Sequence, residues 1–178
     1  CVGYKANVVQ EFFKDGSKFG VTIEYVIENK RMGTAGALTL LKRRPNKPFF
    51  VMNGDLLTNV NYENMLDFHL INHSKATMCV REYDFQVPFG VVMIEDSRIQ
   101  SINEKPVHDF FVNAGVYVLE PECIDLIPVN EFFDMPTLFN RLIQSSDTVI
   151  SFPLVEYWLD VGKLSEYNKA NMEYKNIF

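Results

Sequence analysis

The sequence predicts an α/β fold in which a mixed, mostly parallel sheet is flanked by helices and accompanied by a small antiparallel layer. In residues 1–81, segments with helical spacing of apolar residues alternate with short runs of strand-forming residues, which is typical of parallel sheets. Residues 49–52 form an uninterrupted apolar run, as expected for a strand buried on both faces. Residues 90–119 contain three strand-like runs with short polar connections, which favours an antiparallel layer.

Each element has a local signal. The apolar spacing of residues 6–13 predicts a helix, and residues 21–27 have the composition of a strand. Thr34 is suited to cap a helix that extends to about residue 43, because Pro45 follows. The other predicted elements are strands at 49–52, 76–81, 90–94, 99–102, 111–119 and 149–152 and helices at 62–73, 139–144 and 163–174. No internal repeat or linker is present, so residues 1–178 are predicted to form one domain.

Composition excludes several classes of protein. The chain carries 17 Lys+Arg and 23 Asp+Glu, a formal net charge of -6, which argues against binding of a nucleic-acid polymer. No apolar run reaches the roughly 18 residues needed to cross a membrane, and no secretory leader opens the chain, so we expect a cytoplasmic protein without membrane contact. Cys1, Cys79 and Cys123 lack CxxC spacing and favour free, buried thiols. Because the chain begins at Cys1 and not at methionine, we expect a fragment, and homo-oligomer formation is left open.

Two aspartates follow apolar segments at positions suited to a metal. Asp55 comes after the run at 49–52, and Asp160 follows Trp158 and Leu159 just before a predicted helix. Ligands of α/β sheets bind beyond the carboxyl ends of the strands, and Mg²⁺ usually takes only one or two carboxylates. The structural alternatives are a polar turn for Asp55 and a helix cap for Asp160.

Three further segments are candidates for ligand contacts. In Gly33-Thr34-Ala35-Gly36, small side chains and the free amides of a helix start would admit a phosphate or a flat ring, although close packing is the alternative. Asn113-Ala114-Gly115 interrupts an apolar strand, which suggests contacts to a hydroxylated ligand. Glu104 and Lys105 follow a predicted strand, where a surface ion pair is the alternative, and Pro106 favours an extended Lys105.

The histidines and the hydroxyl nucleophiles give weaker evidence of a functional site. His69 and His73 have the spacing of half a zinc site, but the glutamate that an HExxH motif requires is missing, so a solvated helix face is the favoured interpretation. The sequence also has no G-x-S-x-G motif, which leaves nucleophilic hydrolysis without support.

Together, these motifs resemble those of the sugar-1-phosphate nucleotidyltransferases, the family that makes nucleotide-sugars. The resemblance covers essentially the whole chain and rests on MGTAGAL (32–38), VMNGD (51–55), PFGVV (88–92), EKP (104–106), NAGVY (113–117) and WLDVG (158–162). The residues around Asp55, at 85–88 and at 132–136 look most like bacterial guanylyltransferases that act on hexose- or hexosamine-1-phosphates.

The resemblance implies a Rossmann-like fold and transfer of a nucleoside monophosphate from a nucleoside triphosphate to a sugar-1-phosphate, with GTP favoured over dTTP or UTP. It implies that Asp55 and Asp160 hold Mg²⁺, that Lys105 contacts the sugar phosphate, and that the 33–36 segment lies against the nucleotide base. The implied sugar-binding residues are Gly90, Glu104, Asn113, Ala114 and Gly115.

The sequence departs from the family in one respect. The Gly-rich phosphate loop of the first βα unit, with its arginine and lysine, is absent from these 178 residues. We therefore expect the chain alone to be inactive and the full-length protein to be the enzyme. A non-catalytic module of the same fold, which binds a sugar nucleotide or regulates a partner, is the alternative. A glycosyltransferase is disfavoured because the chain lacks a D-x-D pair.

Overall fold

Within residues 1–177, which the computed structural model describes, the chain forms five α-helices and eight β-strands. The helices are α1 (Ala6–Phe13), α2 (Gly33–Gly36), α3 (Tyr62–Ile71), α4 (Met135–Gln144) and α5 (Leu164–Ile177). The strands are β1 (Phe49–Met52), β2 (Leu56–Thr58), β3 (Ala76–Gln86), β4 (Val91–Glu95), β5 (Arg98–Asn103), β6 (Val107–Leu119), β7 (Val149–Pro153) and β8 (Trp158–Asp160). Short 3-10 helices lie at Ser17–Phe19, Ala37–Leu40 and Pro121–Leu126.

The central sheet has the strand order β1-β6-β3-β7. β7 is parallel to β3, whereas β6 runs antiparallel to both of its neighbours, β1 and β3. The prediction of a mixed sheet in an α/β fold is confirmed, but the prediction that its strands are mostly parallel is wrong for the described residues. An apolar run such as residues 49–52 indicates that a strand is buried, and it carries no information on the direction of the neighbouring strand.

β1 is less buried than the sequence predicts. Phe49, Phe50 and Val51 are half-buried, and Met52 is 40% exposed. In the described part of the chain, β1 lies at one edge of the sheet and pairs with β6 alone. An edge position therefore explains why an entirely apolar strand is not enclosed on both faces.

Helices cover both faces of the sheet. Tyr117 and Leu119 of β6 belong to a core cluster that includes residues of α2 and α4. Val116 and Val118 belong to a second cluster that includes Met65 of α3. This division follows the two-residue period of a strand, whose successive side chains point to opposite faces. The result is a three-layer arrangement with β6 at its centre.

A small antiparallel layer extends from the central sheet, as predicted. β4 and β5 form a hairpin inserted between β3 and β6, and every residue of both hairpin strands is exposed. β3 and β6 are longer than predicted because their outer halves pair as a ribbon that leads to the hairpin. A separate two-stranded pair, β2 with β8, was not predicted.

The first forty residues differ from prediction in two places. α1 is confirmed, but no strand forms at 21–27, where a single parallel bridge joins Ile27 to Val2. Residues 21–27 have the composition of a strand, but a strand also needs a neighbouring strand with which its backbone can form hydrogen bonds. The helix predicted at 34–43 is also shorter, since α2 passes into a 3-10 turn and Leu41 is extended. The Thr39 hydroxyl donates to the Gly36 carbonyl, a local bond that competes with helix continuation.

Two expectations from composition can be compared with the structure. Cys79 and Cys123 are free and buried, as predicted, whereas Cys1 is free but exposed because it lies outside both core clusters. None of the helices in residues 1–177 combines the length and apolar character that crossing a bilayer requires.

Candidate active site

The backbone brings Asp55 and Asp160 together. Asp55 lies in the turn between β1 and β2, and Asp160 is the last residue of β8. The antiparallel register of β2 and β8 pairs Leu56 with Asp160, and the Val161 amide donates a 2.8 Å hydrogen bond to the Asp55 carbonyl oxygen. The two aspartates thus meet at one end of a small antiparallel pair, and not at the ends of two parallel strands as the sequence interpretation supposed.

Among the described residues, the two carboxylates have no partner of opposite charge. Both residues are exposed, and within residues 1–177 neither side chain forms an ion pair or a hydrogen bond. Partial burial of the carboxyl group is the largest effect that raises the pKa of Asp160, and the negative charges of Asp55 and Glu166 raise this pKa further. The site therefore concentrates negative charge that a bound cation would neutralise.

This donor set fits a hard divalent cation. Among the described residues, no group of three or more His, Cys, Asp or Glu side chains is arranged as a metal cluster. An ion held by Asp55 and Asp160 would therefore complete its coordination with water or substrate oxygens. Mg²⁺ favours this arrangement, because it usually retains several waters and takes few protein carboxylates.

Ala114 and Gly115 lie in a β-bulge of β6 that directly follows Asn113. Between the pairs Met78–Tyr117 and Val80–Asn113, β6 contains more residues than β3, so its register shifts. Gly115 has a φ of 72°, and a Cβ at this position would lie 2.8 Å from the Asn53 side-chain nitrogen. Only glycine meets both the backbone and the space requirement here without strain.

The bulge is bonded to the strands that carry the aspartates. The backbone amide of Asn53 donates to the Gly115 carbonyl at 2.9 Å, and the Trp158 indole donates to the Ala114 carbonyl at 2.8 Å. Asn53 precedes Asp55 by two residues, and Trp158 precedes Asp160 by two. The predicted sugar-binding segment and the predicted metal ligands therefore form one connected structure.

Asn113 is partly committed to internal bonds. Its side-chain amide donates to the Tyr117 hydroxyl at 2.7 Å, and its Oδ1 accepts from the Gly115 amide at 2.9 Å. The side chain is nevertheless exposed. One amide hydrogen and one acceptor lone pair therefore remain for a ligand.

Gly90, Glu104 and Lys105 form a second group at the base of the β4–β5 hairpin. A Cβ on Gly90 would lie 2.9 Å from Glu104 Oε2, so the absence of a side chain at Gly90 makes room for this carboxylate. Lys105 has a φ of 46°, so the predicted extended conformation is wrong. The short turn from β5 to β6 reverses the chain, and the Gln86 side chain donates to the Lys105 carbonyl in this turn.

The Gly33–Gly36 segment packs against the residues before α4. The amides of Ala35 and Gly36 both donate to the Phe133 carbonyl at 2.9 Å. The Thr34 amide donates to Asp134 Oδ1 at 3.1 Å. A Cβ on Gly33, whose φ is 76°, would lie 2.6 Å from the Phe133 carbonyl oxygen. The amides that a helix start offers to a ligand are thus bonded within the protein, as the close-packing alternative requires.

His69 is not on a solvated helix face, and that interpretation is wrong. The side chain is fully buried, with Nδ1 2.8 Å from the Thr77 hydroxyl and Nε2 3.5 Å from Glu120 Oε1. Burial lowers the pKa of His69, and the nearby Glu120 opposes this shift. His69 is therefore a core residue of the α3–β3 interface, whereas His73 is exposed beyond the end of α3.

The sequence alone indicated no role for Asn53, Trp158 or Glu166. Asn53 and Trp158 connect the bulge to the aspartates, and Glu166 accepts a hydrogen bond from the Lys163 amide at 2.7 Å. Glu166 lies three residues after Lys163 at a helix start, which is the glutamate half of a capping box; the Ser or Thr of the full motif is missing, so the sequence signal was incomplete. The contacts of Asn53 depend on a distant strand and had no local signal.

Comparison with protein families matches residues 1–177 to the family described as Nucleotidyl transferase. The chain is also 32% identical, over 186 aligned residues, to the mannose-1-phosphate guanyltransferase of Kluyveromyces lactis. That alignment covers 99% of this chain and 51% of the relative. The chain thus spans about half the length of the curated relatives it matches.

Solved structures share the fold. A putative glucose-1-phosphate thymidylyltransferase from Bacillus anthracis superposes with a TM-score of 0.73 at 21% identity, over 97% of this chain and 73% of that one. HddC from Yersinia pseudotuberculosis, solved in complex with GMP-PN, superposes with a TM-score of 0.70 at 22% identity, over 97% of this chain and 76% of that one.

Proposed function

Because the chain belongs to the nucleotidyl transferase family, we propose that the full-length protein transfers a nucleoside monophosphate from a nucleoside triphosphate to a sugar-1-phosphate and releases pyrophosphate. GTP is the favoured donor, since the first curated relatives are named mannose-1-phosphate guanyltransferases. dTTP and UTP are the alternative donors. The observation that carries the proposal is the adjacent pair of carboxylates at Asp55 and Asp160, which have no ion-pair partner in the part of the chain that the structure describes.

Asp55 and Asp160 would hold Mg²⁺, which when bound would neutralise charge on the phosphates. The chain's own contribution is to hold the two carboxylates adjacent through the β2–β8 pair and the bond from the Val161 amide to the Asp55 carbonyl. Since the phosphate of a sugar-1-phosphate is already an anion, its attack on the α-phosphorus needs little help from a general base. Positioning and charge neutralisation are then the main sources of rate enhancement.

The sugar-1-phosphate would lie between the bulge and the hairpin base. Asn113 has a free amide hydrogen and a free acceptor lone pair for sugar hydroxyls, and Glu104 adds a carboxylate beside Gly90. The exposed Lys105 would contact the sugar phosphate. Ala114 and Gly115 are buried, so their contribution would be to shape the strand beneath this pocket and not to contact the sugar.

The nucleotide would lie beside Gly33–Gly36. A cavity of about 580 Å³ borders Met32, the residue before this segment, and its lining includes Lys30 and Lys42. This volume is within the range of small-molecule sites, and two lysines favour an anionic ligand. Because the segment's amides are bonded to Phe133 and Asp134, its contribution would be a closely packed wall of small residues and not a phosphate cradle.

A non-catalytic role is the second candidate, and one observation favours it for the chain by itself. The 178 residues contain no Gly-rich phosphate loop. We therefore propose that residues 1–178 alone have little or no turnover. We also propose a cytoplasmic location, since all three cysteines are free thiols.

The test is a screen of the purified full-length protein with GTP, dTTP and UTP against several hexose- and hexosamine-1-phosphates, with Mg²⁺ and with pyrophosphate release as the readout. We expect turnover with GTP and at least one sugar-1-phosphate, and none without Mg²⁺. Residues 1–178 alone, assayed in parallel, should give little or no pyrophosphate. Absence of turnover by the full-length protein with every pair would contradict the proposal and favour the binding module.

A further inference from the structure

The turn that follows Asp160 is held at both of its ends. It consists of Val161, Gly162 and Lys163, and it joins β8 to α5. The Val161 amide is bonded to the Asp55 carbonyl at 2.8 Å, and the Lys163 amide donates to Glu166 Oε2 at 2.7 Å. One end of the turn is therefore fixed by the chain at Asp55, and the other by a carboxylate from the first turn of α5.

Glu166 also lies beside Asp160 in space. A methyl group in place of a Gly162 hydrogen would be 3.5 Å from Asp160 Oδ1 and 3.7 Å from Glu166 Oε2. The two carboxylates thus flank the same residue of the turn. The short, charge-assisted bond to the Lys163 amide holds Glu166 in this position and fixes the backbone three residues after Asp160.

We propose that Glu166 is a positioning residue for the metal ligand Asp160: it fixes the Val161–Lys163 turn through the Lys163 amide and so sets the distance between the Asp160 and Asp55 carboxylates. This inference rests on the proposed function of those two aspartates. Residues that orient metal ligands without touching the metal commonly change metal affinity by about 10- to 100-fold when they are replaced. Glu166 meets this description, because its bonded oxygen is committed to the backbone.

Two substitutions separate position from charge. Glu166→Gln retains a side-chain oxygen that can accept from the Lys163 amide, but it removes the negative charge. Glu166→Ala removes both. If Glu166 acts by position, Glu166→Ala should weaken metal binding about 10-fold, and Glu166→Gln should remain within about twofold of the wild type. If Glu166 acts by its charge, the two variants should weaken binding equally.

Glu63→Ala is the matched control. Glu63 is an exposed glutamate in the first turn of α3, and no side-chain bond of this residue is found within residues 1–177. This variant should leave metal binding unchanged.

The experiment measures Mn²⁺ binding to the full-length protein by electron paramagnetic resonance, together with the Mg²⁺ concentration that gives half-maximal pyrophosphate release. The expected result is weakened binding in both readouts for Glu166→Ala alone. Equal weakening in Glu166→Gln, or unchanged binding in Glu166→Ala, would overturn the inference. Wild-type protein that neither binds Mn²⁺ nor turns over would instead contradict the proposed function, because the binding measurement does not depend on turnover.

Discussion

The Asp55–Asp160 end of the molecule and the Gly33–Gly36 segment were both predicted to contact ligands. They differ in whether their polar groups are bonded within the protein. Within residues 1–177, the side chains of Asp55 and Asp160 have no hydrogen-bond or ion-pair partner, and their charges repel each other. In the Gly33–Gly36 segment, the amides of Thr34, Ala35 and Gly36 are all bonded to residues before α4.

The difference shows how a ligand-binding site can be distinguished from a closely packed segment when both contain the same types of residue. Like charges that are held close together cost stability, and a cation that neutralises them removes this cost. Polar groups that are fully bonded already stabilise the fold. The Asp55–Asp160 end is therefore expected to respond to substitution mainly in activity, and the Gly33–Gly36 segment mainly in stability.

The largest expected effect is on turnover at the Asp55–Asp160 end. Asp55→Asn and Asp160→Asn in the full-length protein should each lower kcat/KM for pyrophosphate release by about 100-fold or more, because each removes a charge that holds the cation. The double variant should fall far short of the product of the two losses, since the residues act as one unit.

Asp125→Asn is the control for these variants. Asp125 forms an exposed ion pair with Arg44 on the surface, and such pairs contribute little to stability. Its turnover should match the wild type. Unchanged turnover and Mg²⁺ dependence in Asp55→Asn would contradict the assignment of this end of the molecule as the active site.

The second effect concerns stability of the Gly33–Gly36 segment. Gly33→Ala should lower the free energy of unfolding by about 2–4 kcal/mol, because its Cβ would lie 2.6 Å from a backbone oxygen at a φ of 76°. Gly54→Ala is the matched control, since no atom of the described residues lies within 4 Å of the added Cβ. Denaturant unfolding of the full-length protein measures both. A similar change in the two variants would mean that the segment is not closely packed.

Features with a local cause could be predicted from the sequence, and features set by distant partners could not. The apolar run before Asp55 predicted β1, and the apolar segment before Asp160 indicated that this acid also lies at a strand end. The family resemblance implied that the two acids lie together, as the β2–β8 pair places them. The direction of β6 and the bulge at Gly115 depend on contacts with other strands. Likewise, Thr34 and its partner Asp134 are 100 residues apart, so nothing near Thr34 indicated that its amide would be occupied.

Lys105 and His69 were mispredicted for the same reason. Pro106 disfavours a helical Lys105, but the turn from β5 to β6 imposes a positive φ. The sequence around His69 is polar enough for a surface helix, but Thr77 and Glu120 approach the imidazole ring from β3 and from the residue after β6. In both cases tertiary contacts outweighed the local pattern.

A smaller effect is expected at Thr34. Its hydroxyl accepts a 2.8 Å hydrogen bond from the Met135 amide at the start of α4. Thr34→Val should lower the free energy of unfolding by about 1–2 kcal/mol, because it leaves this amide unsatisfied. Thr34→Ser keeps the hydroxyl and should cost less than half as much. If Thr34→Val instead lowered turnover while leaving stability unchanged, the segment would be acting on the substrate and the contrast with the aspartates would fail.

The smallest effect is a gain in stability at the Asp55–Asp160 end, where removing one of the two negative charges should stabilise the fold. Because its surroundings raise the pKa of Asp160, the folded protein binds this proton more tightly than the unfolded chain does, and the resulting stability is lost as the pH rises through the raised pKa. In metal-free buffer near pH 7, Asp160→Asn should therefore raise the melting temperature slightly, and the gain should vanish near pH 3, where the carboxyl is protonated in both states. Asp67→Asn, at an exposed position on α3, should show no such gain.

Added Mg²⁺ should make the melting temperature of the wild type higher than that of Asp160→Asn. It should stabilise only the wild type, since a ligand that binds the folded state alone adds to its stability. A lower melting temperature for Asp160→Asn without metal would mean that this carboxylate is held by the protein, as the Gly33–Gly36 amides are, and would remove the distinction between the two regions.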